Sequence, residues 1–236
     1  MKNFLKENKK KVLNHSSEYF LNWAKGIIGT TIKTQKEPHG DEGLVYKISS
    51  KKDNYFLKIK VNSNFLKERE RLEWLKNKLP VPRVVGFAEK DGVGAILLTA
   101  LEGKNLAVLC KEWPAKKVID KLVDALHQFH KVNSDGWPFE EPDLKKILVH
   151  GDACLPNFIF NGDLFSGYID VADSKLAKIE VDLSAAVWSI QYNLGKGHGA
   201  YFLKKYGYKD STDESAEELR LQYENYQKEH GFLLAD

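Results

Sequence analysis

The segment His150-Gly151-Asp152-Ala153-Cys154-Leu155-Pro156-Asn157 places a carboxamide five positions after a carboxylate, and a second carboxylate, Asp170, follows thirteen positions later. Phosphoryl transfer needs such a set: a carboxylate beside the attacking hydroxyl, and two oxygen ligands that hold magnesium on the phosphates. Taken singly, a loop Asp or Asn is a turn former; it is the composite spacing that points to chemistry. Two groups upstream fit the same reaction. In NYFLKIK, Tyr55, Leu57 and Ile59 alternate onto one face and leave Phe56, Lys58 and Lys60 on the other, so either lysine can face a phosphate. Glu68 shares a helical stripe with Phe65, Leu72, Leu75 and Leu79, whereas Glu70 lies roughly 200° around the cylinder. A carboxylate on an inward stripe calls for a cation.

These groups need elements to hold them. Residues 43 to 101 read as a small, mainly antiparallel sheet in ββαββ order: GLVYKIS, a Ser-Ser-Lys-Lys-Asp turn, NYFLKIK, a helix capped by Ser63 or Asn64 and stopped by Pro80, then RVVGFAE and GAILLTA. An earlier helix carries Tyr19, Phe20, Trp23, Ala24 and Ile27, with Ser16 or Ser17 as cap and Gly29 beyond its end. After Glu102-Gly103 the pattern turns helical. Ile119, Leu122, Val123, Leu126, Phe129 and His130 form a stripe behind Pro114. ILV at 147 to 149 leads into the loop, and FIF, an Asn161-Gly162 turn and LFSGYI form a hairpin that ends at Asp170. A helix capped by Asp182 runs to Gly195, and a last one opens at Ser211 with a Ser-x-x-Glu box and reaches Gly231. The expectation is two domains, 1–101 and 102–236, packed with a cleft near residues 98 to 103.

Composition narrows the functional classes. At 236 residues with 42% hydrophobic and 29% charged residues, the chain has ample material for a core. Cys110 and Cys154, 44 positions apart, make neither a disulfide framework nor a metal knuckle, so a reducing, cytoplasmic setting is expected. No export signal and no membrane span are read. The net charge of +3 divides unevenly: residues 1–101 hold 20 Lys/Arg against 11 Asp/Glu, and residues 102–236 hold 16 against 22. A basic half suits an anionic ligand and an acidic half a cationic one. Only four of the basic residues are arginines, which disfavours nucleic acid as partner.

With LVYKI and YFLKIK, ERERLEWLKNKLPVP, ILLTALEGK, LHQFHKV with WPF, HGDACLPN, FSGYID and VDLSAAVWSI in that order, the chain resembles the aminoglycoside phosphotransferase family, above all its 3'-phosphotransferases, over about residues 40 to 207. The resemblance implies an α+β, two-lobed, protein-kinase-like fold: an N-lobe of antiparallel sheet plus helix, and a mainly helical C-lobe with the catalytic hairpin. It implies ATP, with GTP as the alternative, and Mg2+. Asp152 is then the catalytic base, Asn157 and Asp170 the magnesium ligands, Lys58 the phosphate-contacting lysine and Glu68 its helix partner. Backbone groups of Thr99 and Leu101 match the adenine hinge, and Asp182 matches a residue that steadies the catalytic loop, although its local pattern reads as a helix cap. His150 shapes the loop, and Cys154 and Trp137-Pro138-Phe139 pack.

Three departures bear on the acceptor. Only 19 residues separate His130 from His150, which removes much of the family's sugar-site wall; Asp41 stands where the phosphate loop offers a serine; and Val171-Ala172-Asp173 and GFLLAD replace the family's Gly-Arg run and acidic, aromatic terminus. The reading is therefore an ATP-dependent small-molecule O-phosphotransferase whose expected acceptor is a cationic aminoglycoside. Another small hydroxylated metabolite or a macrolide stands behind it. The second functional class is a nucleotide-binding module with little turnover.

Overall fold

The computed structural model describes residues 2–29, 31–37, 43–140 and 146–230, with side chains from Lys11 onward except at 31 and 32. Asp41 and the GFLLAD terminus lie outside the described residues. The chain divides into two units, 1–76 with 81–101, and 77–80 with 102–236.

The first unit opens with α1 (Lys2–Ile28), followed by β1 (Thr31–Lys36), β2 (Leu44–Ser50), β3 (Asn54–Val61), α2 (Phe65–Leu75), β4 (Val84–Lys90) and β5 (Val93–Thr99). The strands form one antiparallel sheet in the order β1-β2-β3-β5-β4. Two expectations change here. The first helix starts far upstream of Ser16 and Ser17, and Ser17 donates to the Asn14 carbonyl from inside it instead of capping it. Strand β1 precedes the expected ββαββ set. Leu13, Phe20 and Ala24 of α1 pack with Leu44, Ile48, Leu57, Ile59, Val93, Ala95 and Leu97 on one face of the sheet. Because side chains alternate along a strand, Lys58 and its cross-strand partner Ile96 fall on the opposite face. Helix α2 lies against β4 and β5. Its N-cap is Asn64, whose side chain makes no capping bond, and it ends at Leu75, a turn before Pro80.

The second unit holds β6 (Lys104–Asn105), α3 (Leu106–Leu109), α4 (Ala115–His130), β7 (Ile147–Val149), β8 (Phe158–Asn161), β9 (Leu164–Tyr168), β10 (Lys175–Ala177), α5 (Glu180–Leu194), α6 (Gly199–Tyr206) and α7 (Asp213–Glu229). Pro114 leads into α4, whose stripe Val118, Ile119, Leu122, Val123, Ala125, Leu126 and Phe129 is buried. Each of the larger side chains contributes about 1.5–3 kcal/mol by leaving water. The β8–β9 hairpin forms as its turn residues require, and β6 extends it, while β7 pairs with β10. Helix α5 packs on α6 and α7. Two caps differ from expectation. Thr212, not Ser211, caps α7 by accepting from the Ser215 amide, because its neighbouring hydroxyl has the right spacing to the third amide of the helix. Asp182 sits inside the first turn of α5, not at its cap, and its carboxylate is used elsewhere.

Candidate active site

The candidate catalytic segment is the loop between β7 and β8, and its shape is set by a carboxylate beneath it. Asp182, fully buried, accepts from the backbone amides of His150 (2.7 Å to Oδ2) and Gly151 (2.8 Å to Oδ1) and from His130 Nε2 (2.8 Å to Oδ2). Burial pushes the Asp182 carboxyl up, but the His130 hydrogen bond and charge, with the His150 amide, outweigh it and hold the carboxyl below its ordinary value. His130, the last residue of α4, is itself oriented through Nδ1 by the Tyr206 hydroxyl at the end of α6 (2.8 Å). Helix ends from α4 and α6 and the first turn of α5 thus meet under the loop.

His150 works from within. Its Nδ1 accepts from the Asp152 amide (3.3 Å), so the proton sits on Nε2, which donates to the Ile169 carbonyl (3.0 Å). The Nε2 contact ties the loop to the residue just before Asp170. Gly151 has φ +85°, and a Cβ there would run into the Asp173 backbone. Only glycine lets the loop lie this close to the 3₁₀ turn Val171–Asp173.

Asp152 and Asn157 are directly joined. Asn157, 5% exposed, donates its amide to the Asp152 carbonyl and to Asp152 Oδ2, both at 2.8 Å. With the amino group committed, the amide oxygen is the atom this side chain can offer a cation. The Asn157 carbonyl accepts from the Ile169 amide (3.0 Å), which brings Asp170 alongside. Asp170 is exposed and left-handed (φ +57°) at the head of the 3₁₀ turn. One amide oxygen and one carboxylate are a hard, sparse donor set, the kind magnesium uses when phosphates and water complete its shell. Among the described residues no group of three or more His, Cys, Asp or Glu forms a denser metal cage.

In the first unit Lys58 Nζ lies 2.7 Å from Glu68 Oε1, with side-chain exposures of 19% and 5%. Of the two lysines that strand alternation allows, Lys58 reaches Glu68, and Glu70 is exposed. Thr99 ends β5 with its amide bonded to the Arg83 carbonyl (3.0 Å) and its hydroxyl accepting from the Arg83 amide (2.9 Å), and Leu101 follows two positions on.

A model of the phosphotransferase enzyme family APH matches residues 35–143 and 134–219. The chain belongs to this family. An aminoglycoside 3'-phosphotransferase of Niallia circulans is 27% identical over 191 residues, 62% of this chain and 72% of the relative, and one of Escherichia coli is 24% identical across 88% of this chain and 91% of the relative. Among solved structures, aminoglycoside phosphotransferase APH(3'')-Id of Streptomyces rimosus, with ADP and streptomycin bound, superimposes with a TM-score of 0.67 at 17% identity over 86% of this chain and 96% of that one. The fold is thus the protein-kinase-like α+β fold. The chain is an ATP-dependent phosphotransferase acting on an alcohol group, and the reading as a binding module with little turnover falls away.

Three participants in this phosphotransferase site had been read otherwise or passed over. Asp182 holds the loop amides, the place the resemblance implies, and does not cap α5 as its local pattern suggests. His130 had counted only as part of an apolar stripe. Tyr223 of α7 has no local sequence signal for the site, yet its hydroxyl donates to Asp152 Oδ1 (3.1 Å) and lies 3.4 Å from Cys154 Sγ. Burial, then the nearby Cys154 and Asp152, push the Tyr223 phenol far up, so it stays protonated. Cys154 is buried and its thiol is pushed well up by burial and by Asp152, which fits packing and not nucleophilic attack. Trp137 is buried, donating to Glu140 (2.8 Å). No helix among the described residues is long and apolar enough to cross a membrane.

Proposed function

We propose that the chain transfers the γ-phosphoryl group of ATP to a hydroxyl of an aminoglycoside, in the manner of a 3'-phosphotransferase. The observation that carries this reading is the Asp152 carboxylate, set on a loop anchored by Asp182 and clamped by Asn157 at 2.8 Å. Asp152 is the base: it accepts the proton of the acceptor hydroxyl as that oxygen attacks phosphorus and ADP leaves. Asn157, through its amide oxygen, and Asp170 would hold Mg2+, which would supply positive charge against the phosphates. Lys58, braced by Glu68, contacts the α- and β-phosphates, and backbone groups of Thr99 and Leu101 receive the adenine. The aminoglycoside acceptor is supported by the relatives, named as aminoglycoside 3'-phosphotransferases, and by the acidic balance of residues 102–236, which suits a polycation.

The 19-residue interval between His130 and His150 favours a second reading, a smaller hydroxylated acceptor that needs less of a wall. A coupled ADP-release assay with Mg2+, ATP or GTP, and an aminoglycoside panel led by kanamycin and neomycin separates the two. Acceptor-dependent ADP release with a 3'-phosphorylated product supports the first. Tight Mg-nucleotide binding with no stimulation by any member of the panel overturns it in favour of the second.

A further inference from the structure

The Asp152 carboxylate is held at both oxygens, and the two holds come from different places. Asn157 grips Oδ2 from five residues away, whereas Oδ1 is met by a phenol from α7, 71 residues downstream. A carboxylate cannot donate, so the phenol proton points to Asp152, and toward Cys154 the phenol oxygen can only accept, from a thiol that also has the Ala185 carbonyl within reach. The ring itself has little freedom. It is 8% exposed and packs 5.4 Å from the Trp188 ring, which stacks on Tyr192 at 5.3 Å with only 10° between planes. Ala216 and Leu219, on the same helix, are buried, and α7 packs along α5, so the depth to which the hydroxyl reaches is fixed by helix packing.

We propose that Tyr223 is a positioning residue for phosphoryl transfer: its hydroxyl fixes the plane of the Asp152 carboxylate from the side opposite Asn157. This rests on the reading of Asp152 as the base. With one hydrogen bond on each oxygen the carboxyl group cannot turn about its Cβ–Cγ bond without breaking one of them. Oδ1 nevertheless keeps a second lone pair, aimed by the first bond, for the acceptor hydroxyl. A base free to swing spends much of its time with that lone pair misdirected, and small errors in alignment lower rates steeply. Tyr223 thereby makes the docking of α7 a requirement for a competent base.

Tyr223→Phe keeps the ring and its packing and removes only the hydroxyl. The expected result is a fall in kcat of about tenfold, the size of one hydrogen bond to a charged group, with the apparent KM for ATP within about twofold of the parent, and with nucleotide affinity by calorimetry unchanged. Equilibrium urea unfolding of the parent, Tyr223→Phe, Asp152→Ala and the double variant supplies a readout independent of turnover. A non-additive cycle is expected, because both single changes break the same bond. A kcat within twofold of the parent overturns the proposal. So does an additive cycle, which reduces Tyr223 to packing, and so does a rise in kcat or in acceptor-independent ADP release, which makes the phenol a block on the base. Near-parental turnover in Asp152→Ala alone overturns the assignment of the base and is thus distinguishable from failure at Tyr223.

Discussion

Replacing Asp182 with asparagine removes one charge and almost no volume, and the three donors around it set the cost. Oδ2 accepts from the His150 amide and from His130, and Oδ1 from the Gly151 amide. Asparagine has one oxygen for these duties. With its amino group turned to Gly151, two N–H groups face each other and one bond to a buried charge is lost; turned the other way, two are. The cheaper arrangement still forfeits about 1.5–3 kcal/mol for that bond, and the uncompensated donor brings the total to about 2–4 kcal/mol. Against a typical stability of about 5–15 kcal/mol the variant still folds. Urea unfolding followed by tryptophan fluorescence should show a lower midpoint at unchanged slope, and turnover should fall by about a hundredfold as the loop loses its anchor. The difference has a pH signature. The Asp182 pKa is depressed on folding, so its contribution is complete above the unfolded value of about 3.9 and is lost as pH falls through the folded one. The gap between parent and Asp182→Asn should therefore narrow in acid. A loss under about 0.5 kcal/mol at neutral pH, or a gap that widens in acid, refutes the reasoning.

Asp152→Ala should abolish transfer while calorimetric nucleotide binding persists, because the base meets the acceptor and not the phosphates. Asp170→Ala should lose the magnesium-dependent part of nucleotide affinity, and equal magnesium response in variant and parent sinks its role as a ligand. Glu68→Gln should raise the KM for ATP several-fold by loosening Lys58, whereas Glu70→Gln, on the exposed face, should leave it within twofold; steady-state kinetics of the pair decides. Burial pushes the Cys110 thiol up to about 11, so alkylation of the native protein at pH 8 should run at least tenfold slower than that of a free thiol and quicken as pH rises toward 11, as read by mass spectrometry.

The candidate site was legible because it is written in local spacing: Asp152, Asn157 and Asp170 lie on one loop and hairpin, and helical phase separates the buried Glu68 from the exposed Glu70. Strand alternation could not choose between Lys58 and Lys60, since both share a face; the 2.7 Å pairing of Lys58 with Glu68 of α2 favours Lys58. The local pattern alone could not place Asp182, because an acidic residue in a first helical turn has one local signature whether it caps or reaches elsewhere. The target amides lie 31 and 32 residues away. Strand β1, TIKTQK, lacks the apolar alternation of its neighbours because it is an edge, and α6 hides behind the glycine-rich run GKGHG. Tyr223 carried no signal at all, for its partner is fixed only by the packing of α7 on α5.

The hydrogen bonds that finish the catalytic loop reach back from residues made after it: Asp182 from α5, Tyr206 from α6 through His130, and Tyr223 from α7. Closing contacts over such sequence distances costs chain entropy, which the packing of α5, α6 and α7 must offset. A chain cut short before α7 carries every residue that bonds to nucleotide in the proposed reaction, yet lacks the phenol that aims its base. Among the described residues, chain order thus leaves the aim of the base to the last helix, α7.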